Sequence, residues 1–430
     1  MAARGNRAVG LLTPRTARRA GRPMSHFRLS RPRPVALLLA GATACARVAL
    51  AAVTTATSAA PPPLRTPFPD RIRLGFVETV IADSLDSPVS MATAPDGRVF
   101  VCEQGGRLRV VRNDALLARP FVTLPVGVGE EEGLLGVAFD PGFESNHRVY
   151  VCYTAATPTR HNRIARLTAS GDTARAGSEV AIFELDDNTD HVHVGGALRF
   201  GRDGKLYAGT GENGVGELSQ SLRSTHGKLL RIEPDGRIPS DNPFYGTASG
   251  RHRAIWARGL RNAFAFDIEP GTGRIFIDDV GGDAFEEVNE GQAGANYGWP
   301  MAEGPSESPR IRAPIHSYGH DAGCAITGGA FYAPPSRARA AFPPEWRGRY
   351  FYEEYCRNEI RWIDPAAPAR YTVFGSTLVP GPVDLRVGPD GCLYYLARGN
   401  SSPVGGEGTS RGLVVRVSYG GGSPGRDGQR

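Results

Sequence analysis

Lysine is almost absent from this chain: Lys205 and Lys228 are the only two, so a cationic contact anywhere else falls to arginine. No stretch longer than a turn or two repeats apolar residues with the 3.6-residue period of an amphipathic helix, which excludes a helical bundle and leaves helices few. No apolar run is long enough to cross a membrane; the best candidate, residues 35–40, is soon interrupted by Thr43 and Arg47. Acid is missing from one region altogether. The first 60 residues hold ten arginines and no Asp or Glu, so the net charge of +6 becomes about −4 (6 minus 10) for the remainder. A phosphate-binding protein needs its positive charge on the folded domain, so no nucleic-acid partner is expected.

Residues 1–60 read as an export leader. Arg28, Arg31 and Arg33 precede the apolar run, small residues follow up to Ser58, Ala59 and Ala60, and Met24 offers an alternative start. Cleavage near Ala60 is preferred; Cys45, after Ala42-Thr43-Ala44, is a lipidation alternative, and Arg18-Arg19 a degenerate twin-arginine one. The expected location is secreted or periplasmic, where disulfides persist. Five cysteines lie beyond the leader, Cys102, Cys152, Cys324, Cys356 and Cys392, so at least one stays unpaired within the chain.

What is present, repeatedly, is one pattern: a short apolar run, a tight turn, an alternating β-branched or aromatic run, a Gly/Asn-rich loop and another alternating run. The turns fall at Asp96-Gly97, Pro141-Gly142, Asp203-Gly204, Pro270-Gly271 and Asp390-Gly391, with a Pro-rich connection replacing the turn in the fifth repeat. In the fourth, the third strand reads as degenerate near Glu287. Six repeats predict an all-β, six-bladed β-propeller over residues 61–419 with four-stranded antiparallel blades, which leaves only short, protected edges. The last repeat lacks a fourth strand, so residues 75–81 are expected to supply it and close the ring; residues 420–430 read as a disordered tail. In a propeller the residues before first strands and after second strands converge on one mouth of the channel. Nearly all the informative segments fall there: 130–133, 190–196 and 258–262 before first strands, and 211–214, 281–287, 356–358 and 399–402 after second strands.

These segments carry a resemblance. Gly133-Leu-Leu-Gly-Val-Ala-Phe-Asp-Pro, His193-Val-Gly-Gly-Ala-Leu-Arg-Phe, Gly209-Thr-Gly-Glu-Asn-Gly, His226-Gly-Lys-Leu-Leu-Arg-Ile, Gly259-Leu-Arg-Asn and Asn296-Tyr-Gly-Trp-Pro follow in order, with Ile326-Thr-Gly-Gly opening the fifth repeat. Together they resemble the pyrroloquinoline quinone (PQQ) dependent glucose/sorbosone dehydrogenase family, which also contains extracellular members related to hedgehog-interacting protein. The resemblance implies oxidation of an aldose or related alcohol with PQQ and Ca²⁺, and an external electron acceptor, in a monomer or homodimer. It makes His193 the general base, a role that suits an imidazole near neutral pH. It gives Glu212 the orientation of that ring, and Arg261 and Asn262 the quinone carbonyls. His191, two positions from His193, leaves the register open. Glu131 stands where the sugar dehydrogenases often show glutamine, at the cofactor. Gly281 and Gly282 match positions whose backbone carbonyls hold Ca²⁺, with Glu286, Glu287 and Tyr297 where further metal contacts are placed; oxygen donors are what a hard cation requires.

The chain also departs from the pattern. The soluble glucose dehydrogenases grip the cofactor's carboxylates with a lysine after the fifth blade's second strand and arginines before the sixth blade's first strand; here Cys356 and Gly381-Pro382-Val383 stand at those places. The propeller layout sets Cys324 beside Cys356, so a disulfide bracing the mouth is expected there. Two other functions fit the same fold: a non-catalytic extracellular propeller that binds carbohydrate or protein at this rim, and, by fold analogy alone, a Ca²⁺-dependent hydrolase.

Overall fold

The computed structural model describes residues 72–421 except 74 and 400–410; the leader, Cys45 and the tail after residue 421 lie outside the described residues. Six antiparallel sheets form, five of them from consecutive segments of chain, as a six-bladed β-propeller. Blade one runs Pro88–Thr93, Val99–Glu103, Arg107–Arg112, and blade two runs Leu134–Phe139, Arg148–Ala155, His161–Ser170. In blade one the fourth strand is broken into two short pieces that pair with the third, and in blade two the short piece Thr173–Ala174 precedes the full strand Val180–Asp187, both pairing with the third. Blade three is Leu198–Phe200, Leu206–Gly209, Lys228–Ile232, Ile255–Arg258; blade four is Ala263–Ile268, Ile275–Asp279, Phe285–Glu290, His316–Gly319. Blade five is Ile326–Phe331, Tyr350–Glu354, Glu359–Ile363, Tyr371–Ser376.

Blade six closes the ring as the sequence leads one to expect. Its strands Pro382–Val387, Leu393–Ala397 and Gly412–Tyr419 are completed by Phe76–Leu85, which pairs antiparallel with Gly412–Tyr419 and runs four residues past the expected end. Phe76 locks this seam, its ring lying edge-on to Phe342, Trp346, Phe374 and Tyr419 at centroid distances of 4.7, 5.5, 4.9 and 5.2 Å. Helix is confined to Phe143–Asn146 and three 3₁₀ turns among the described residues.

Five of the six second strands are buried along their whole length, as in Val99–Glu103, Tyr350–Glu354 and Leu393–Ala397, because neighbouring blades cover both faces. The core is accordingly a set of inter-blade clusters, such as the one joining Phe100, Leu108, Leu134 and Val149 of blades one and two. The degenerate strand of blade four is the main departure from expectation. Phe285–Glu290 is a complete strand whose Glu286, Glu287 and Asn289 are buried, so acids and an amide occupy places where the repeat calls for apolar residues. They are tolerated because each carboxylate accepts hydrogen bonds inside the fold, as the site geometry below shows.

One irregularity repeats and points at the mouth. Five of the six first strands shift register within two residues of their start, between Pro88 and Ser90, Leu134 and Gly136, Ala263 and Ala265, Thr327 and Gly329, and Pro382 and Asp384. Each shift inserts one unpaired residue and bends the strand. Three of these extra residues, Val89, Phe264 and Val383, end up lining a cavity of about 190 Å³ at the mouth.

Candidate functional site at the propeller mouth

Blade three enters the mouth through a loop without such a bulge, shaped by backbone conformation instead. His193 has φ 49° and Gly195 and Gly196 follow with φ 63° and 114°, a left-handed run that only glycine adopts freely. A Cβ on Gly195 would lie 2.7 Å from Thr210 Cα, so the loop can press against its neighbour only with glycine there. Asn213, fully buried, staples the two loops: its side-chain oxygen accepts from the Thr189 and Asp190 amides at 2.5 and 3.0 Å, and its amide nitrogen donates to the Asp190 and Val192 carbonyls at 2.8 and 3.2 Å.

In this setting His193 Nδ1 lies 2.6 Å from Glu212 Oε1. A carboxylate only accepts, so in the neutral ring Nδ1 carries the proton and Nε2 keeps its lone pair. Glu212 is itself tied to blade four, its amide donating to the Arg261 carbonyl at 2.8 Å. His191 is engaged differently. Its Nδ1 lies 2.7 Å from buried Glu132, and its Nε2 lies 3.0 Å from Arg160 Nη1, so the lone pair it offers is already taken by a guanidinium.

Arg261 and Asn262 are held from below by Asp279. The Arg261 amide donates to both Asp279 oxygens at 3.1 and 3.0 Å, and the Asn262 amide to Oδ1 at 2.7 Å. Burial, reinforced by Glu287, pushes the Asp279 carboxyl well above the usual carboxylate range. The Arg261 guanidinium donates to the Val280 carbonyl at 3.1 Å and lies 5.4 Å from the centre of the Trp299 ring. Asn262 Nδ2 reaches Glu131 Oε2 at 3.3 Å, and its Oδ1 is buried without a hydrogen-bond partner, as is Glu212 Oε2. Burial raises Glu131 above the ordinary carboxylate range, against the pull of neighbouring His193. The structure therefore brings His193, Glu212, Arg261, Asn262 and Glu131 together, with Glu131 and Asn262 in the wall of the cavity.

Gly281 and Gly282 adjoin Arg261. Their amides donate to Glu286 Oε2 and Glu303 Oε1 at 3.1 and 2.7 Å, while their carbonyls accept no hydrogen bond from a described residue. Glu286 also accepts from the Ile326 amide at 2.9 Å and pairs with His320 at 3.0 Å; Glu287 accepts from Asn289 and from the Gly304 amide. Tyr297 does not join them. Its hydroxyl donates to the Glu290 carbonyl at 2.9 Å and accepts from the Gln292 amide at 3.1 Å, inside the core between blades three and four. Of the five residues expected to contact a cation, only the two glycines offer oxygens with no donor among the described residues, and Glu286 with Glu303 fixes their amides.

Blades five and six finish the mouth by other means. Cys324 and Cys356 form a disulfide with Cα atoms 5.7 Å apart, whereas Cys102, Cys152 and Cys392 are buried thiols, each pushed up to about 12 by burial. Arg357 is exposed and donates to the Asp321 carbonyl at 2.7 Å. Sequence reasoning passed over three contributors. Glu303 gathers the amides of Gly282, Ala284 and Phe285 on one oxygen, but it sits in a loop whose course no pattern gives. Asp279 ends a strand and reads as an ordinary edge acid. Arg398 directly follows Leu393–Ala397, where second strands enter the mouth, and it lines the cavity; counting that segment from Gly399 missed it by one residue.

The profile described as Glucose / Sorbosone dehydrogenase matches residues 85–404. Aldose sugar dehydrogenase YliI of Escherichia coli K12 is 28% identical over 358 residues, 76% of this chain and 91% of its own. The PQQ-bound form of aldose sugar dehydrogenase from Streptomyces coelicolor superposes with a TM-score of 0.65 at 27% identity, covering 80% of this chain and 99% of that one. Mouse hedgehog-interacting protein is 30% identical over 217 residues, 42% of this chain and 30% of its own. With fold, mouth and motifs in agreement over that span, the chain belongs to the glucose/sorbosone dehydrogenase family.

Proposed function

We propose that the protein oxidises an aldose sugar or related alcohol with PQQ and Ca²⁺, and passes the electrons to an external acceptor. The observation that carries this reading is the His193–Glu212 pair at 2.6 Å, which leaves the second ring nitrogen unengaged on a residue that neighbours Glu131, itself in the cavity wall. His193 Nε2 takes the proton of the hydroxyl on the carbon being oxidised, and Glu212 fixes the tautomer and offsets the charge that forms on the ring. When bound, PQQ supplies a two-electron acceptor for the hydride of that same carbon.

The residues present fit such a group on one side. Asn262 Oδ1 and Glu212 Oε2 are orphaned and buried, a state that a polar ligand relieves. Arg261 offers a guanidinium fork to carbonyl or carboxylate oxygens, and Asn262 and Glu131 line the space. Gly281 and Gly282 contribute carbonyls to Ca²⁺, with Glu286 and Glu303 fixing their direction; Glu287 and Tyr297 enter only as framework. Export to an oxidising compartment, periplasmic or extracellular, suits both the leader and the Cys324–Cys356 bridge.

A second reading, a propeller that binds carbohydrate or protein at this rim without turnover, is favoured by Cys356 and Gly381-Pro382-Val383 at the places of the family's cations. One experiment separates the two. The purified protein is mixed with Ca²⁺ and PQQ, and dye reduction is followed over a panel of aldoses and alcohols. Turnover with at least one of them is expected; neither cofactor binding nor turnover would leave only the binding module.

A further inference from the structure

We infer that Arg398 is the cation that holds a carboxylate of the quinone in this protein, taking over from the arginines that the sugar dehydrogenases place before the sixth blade's first strand. The inference rests on the proposed cofactor, and it concerns a residue for which that reading by itself gives no role.

Arg398 belongs to the cavity by position. It is the one cation among the described residues that line the space, which Glu131 and Asn262 also line. It also occupies the place of the missing arginines. The Arg398 amide donates to the Gly381 carbonyl at 2.7 Å, and a Cβ on Gly381 would lie 3.3 Å from Arg398 Cβ. A charge lost at the start of one strand has thus reappeared at the end of the strand hydrogen-bonded to it, since Pro382–Val387 and Leu393–Ala397 are neighbours in blade six.

The side chain is built in. Arg398 is 7% exposed, and its Nη2 donates to Gln104 Oε1 at 2.6 Å. Gln104 has no freedom to turn round, because its amide nitrogen donates to the carbonyls of Gly129, Glu130 and Glu132 at 3.1, 3.0 and 2.9 Å. Blade one therefore aims a guanidinium from blade six. Burial lowers the basicity of Arg398, the direction expected of a charge that has lost water, yet a guanidinium stays protonated in proteins. An anion arriving in the cavity relieves that desolvation, and a planar fork matches a carboxylate.

The test is a binding titration, which needs no turnover. PQQ and its uncharged trimethyl ester are titrated into the Ca²⁺-loaded protein, and quenching of tryptophan fluorescence gives Kd for wild type, Arg398→Gln and Arg398→Lys. Loss of one charge-assisted contact is expected to weaken PQQ by about 10- to 100-fold in Arg398→Gln. Arg398→Lys should fall between, and the ester should bind wild type and Arg398→Gln alike. Equal PQQ affinity in wild type and Arg398→Gln overturns the inference while the proposed function survives. So does a Lys variant no better than Gln, because the loss then lies in packing. If Arg398→Gln fails to fold, wild type binding PQQ and its ester equally well overturns the inference without any variant. A wild type that binds no PQQ removes the proposed function, and this inference with it.

Discussion

On the blade-three and blade-four side of the mouth, each proposed functional group rests on a second residue. Glu212 holds His193, Asp279 holds Arg261 and Asn262, and Glu286 with Glu303 holds the Gly281–Gly282 turn. On the blade-five and blade-six side the supports hold other groups: Glu354 accepts from the Cys324, Ala325 and Arg357 amides around the disulfide, Gln104 accepts from Arg398, and Gly381 and Val383 carry no charge. The first wall is suited to moving a proton and polarising a carbonyl, which demands fixed geometry. The second has only to hold the far end of a ligand, and holding tolerates a change of residue as long as charge and shape are supplied from somewhere. The residues matching the family's motifs are thus kept on the wall whose proposed role is most exacting, and they change on the wall whose proposed role is least.

Breaking the first wall should give the largest effect. His193→Ala is expected to lower turnover by about a hundred- to ten-thousand-fold, the usual worth of a positioned base, while PQQ affinity stays within about threefold. Steady-state dye reduction and fluorescence titration check the two halves; full activity in the variant would pass the role to His191, despite its bonds to Glu132 and Arg160.

Breaking the second wall should instead cost stability. Replacing Cys324 and Cys356 by serine opens a loop with a sequence separation of 32 and should destabilise the fold by about 2–4 kcal/mol in denaturant titrations. Turnover measured well below the new melting transition should change little, since neither sulfur belongs to the proposed proton-transfer geometry. A tenfold fall in kcat there would mean that the two walls are not separable.

Arg261→Ala sharpens the contrast with His193→Ala. Because Arg261 is proposed to touch the cofactor, affinity and turnover should fall together, each by about 10- to 100-fold. A variant that kept PQQ affinity would reduce Arg261 to a prop for Trp299 and the Val280 carbonyl.

The unevenness of the two walls also explains what the sequence discloses. The blades are legible because each repeats a turn and an alternation, and the mouth is legible because the repeat says which strand ends meet there. His193, Glu212 and the Arg261-Asn262 pair could be named because each sits inside a short motif that the family resemblance matches in order. Glu286 and Glu287 could be named but not understood: their carboxylates turn inward to backbone amides that only a folded loop presents. The third strand of blade four looked degenerate for the same reason, since acids bonded to amides fill positions that the pattern reserves for apolar residues. Arg398 was hidden by a change of strand. A motif compares like positions, and here the charge has moved to a neighbouring strand that is adjacent only in space.

The last comparison concerns carboxyl groups, and its effect is a slope with pH. Asp279 on the first wall is buried yet accepts three backbone contacts; Glu353, in the second strand of blade five, is buried with neither oxygen hydrogen-bonded. Burial, with Asp384 adding repulsion, pushes Glu353 well above the carboxylate range, so the folded protein keeps a proton that the unfolded chain releases near its ordinary value of 4.5. Stability from this group is complete below that value and is lost as pH rises toward the folded one, at most about 1.4 kcal/mol per pH unit. Glu353→Gln has no proton to lose. Its urea midpoint should match wild type near pH 4 and exceed it increasingly up to pH 8. Parallel curves across that range would show that Glu353 finds an ionised-state partner in solution, and that a bare carboxyl is no mark of the second wall.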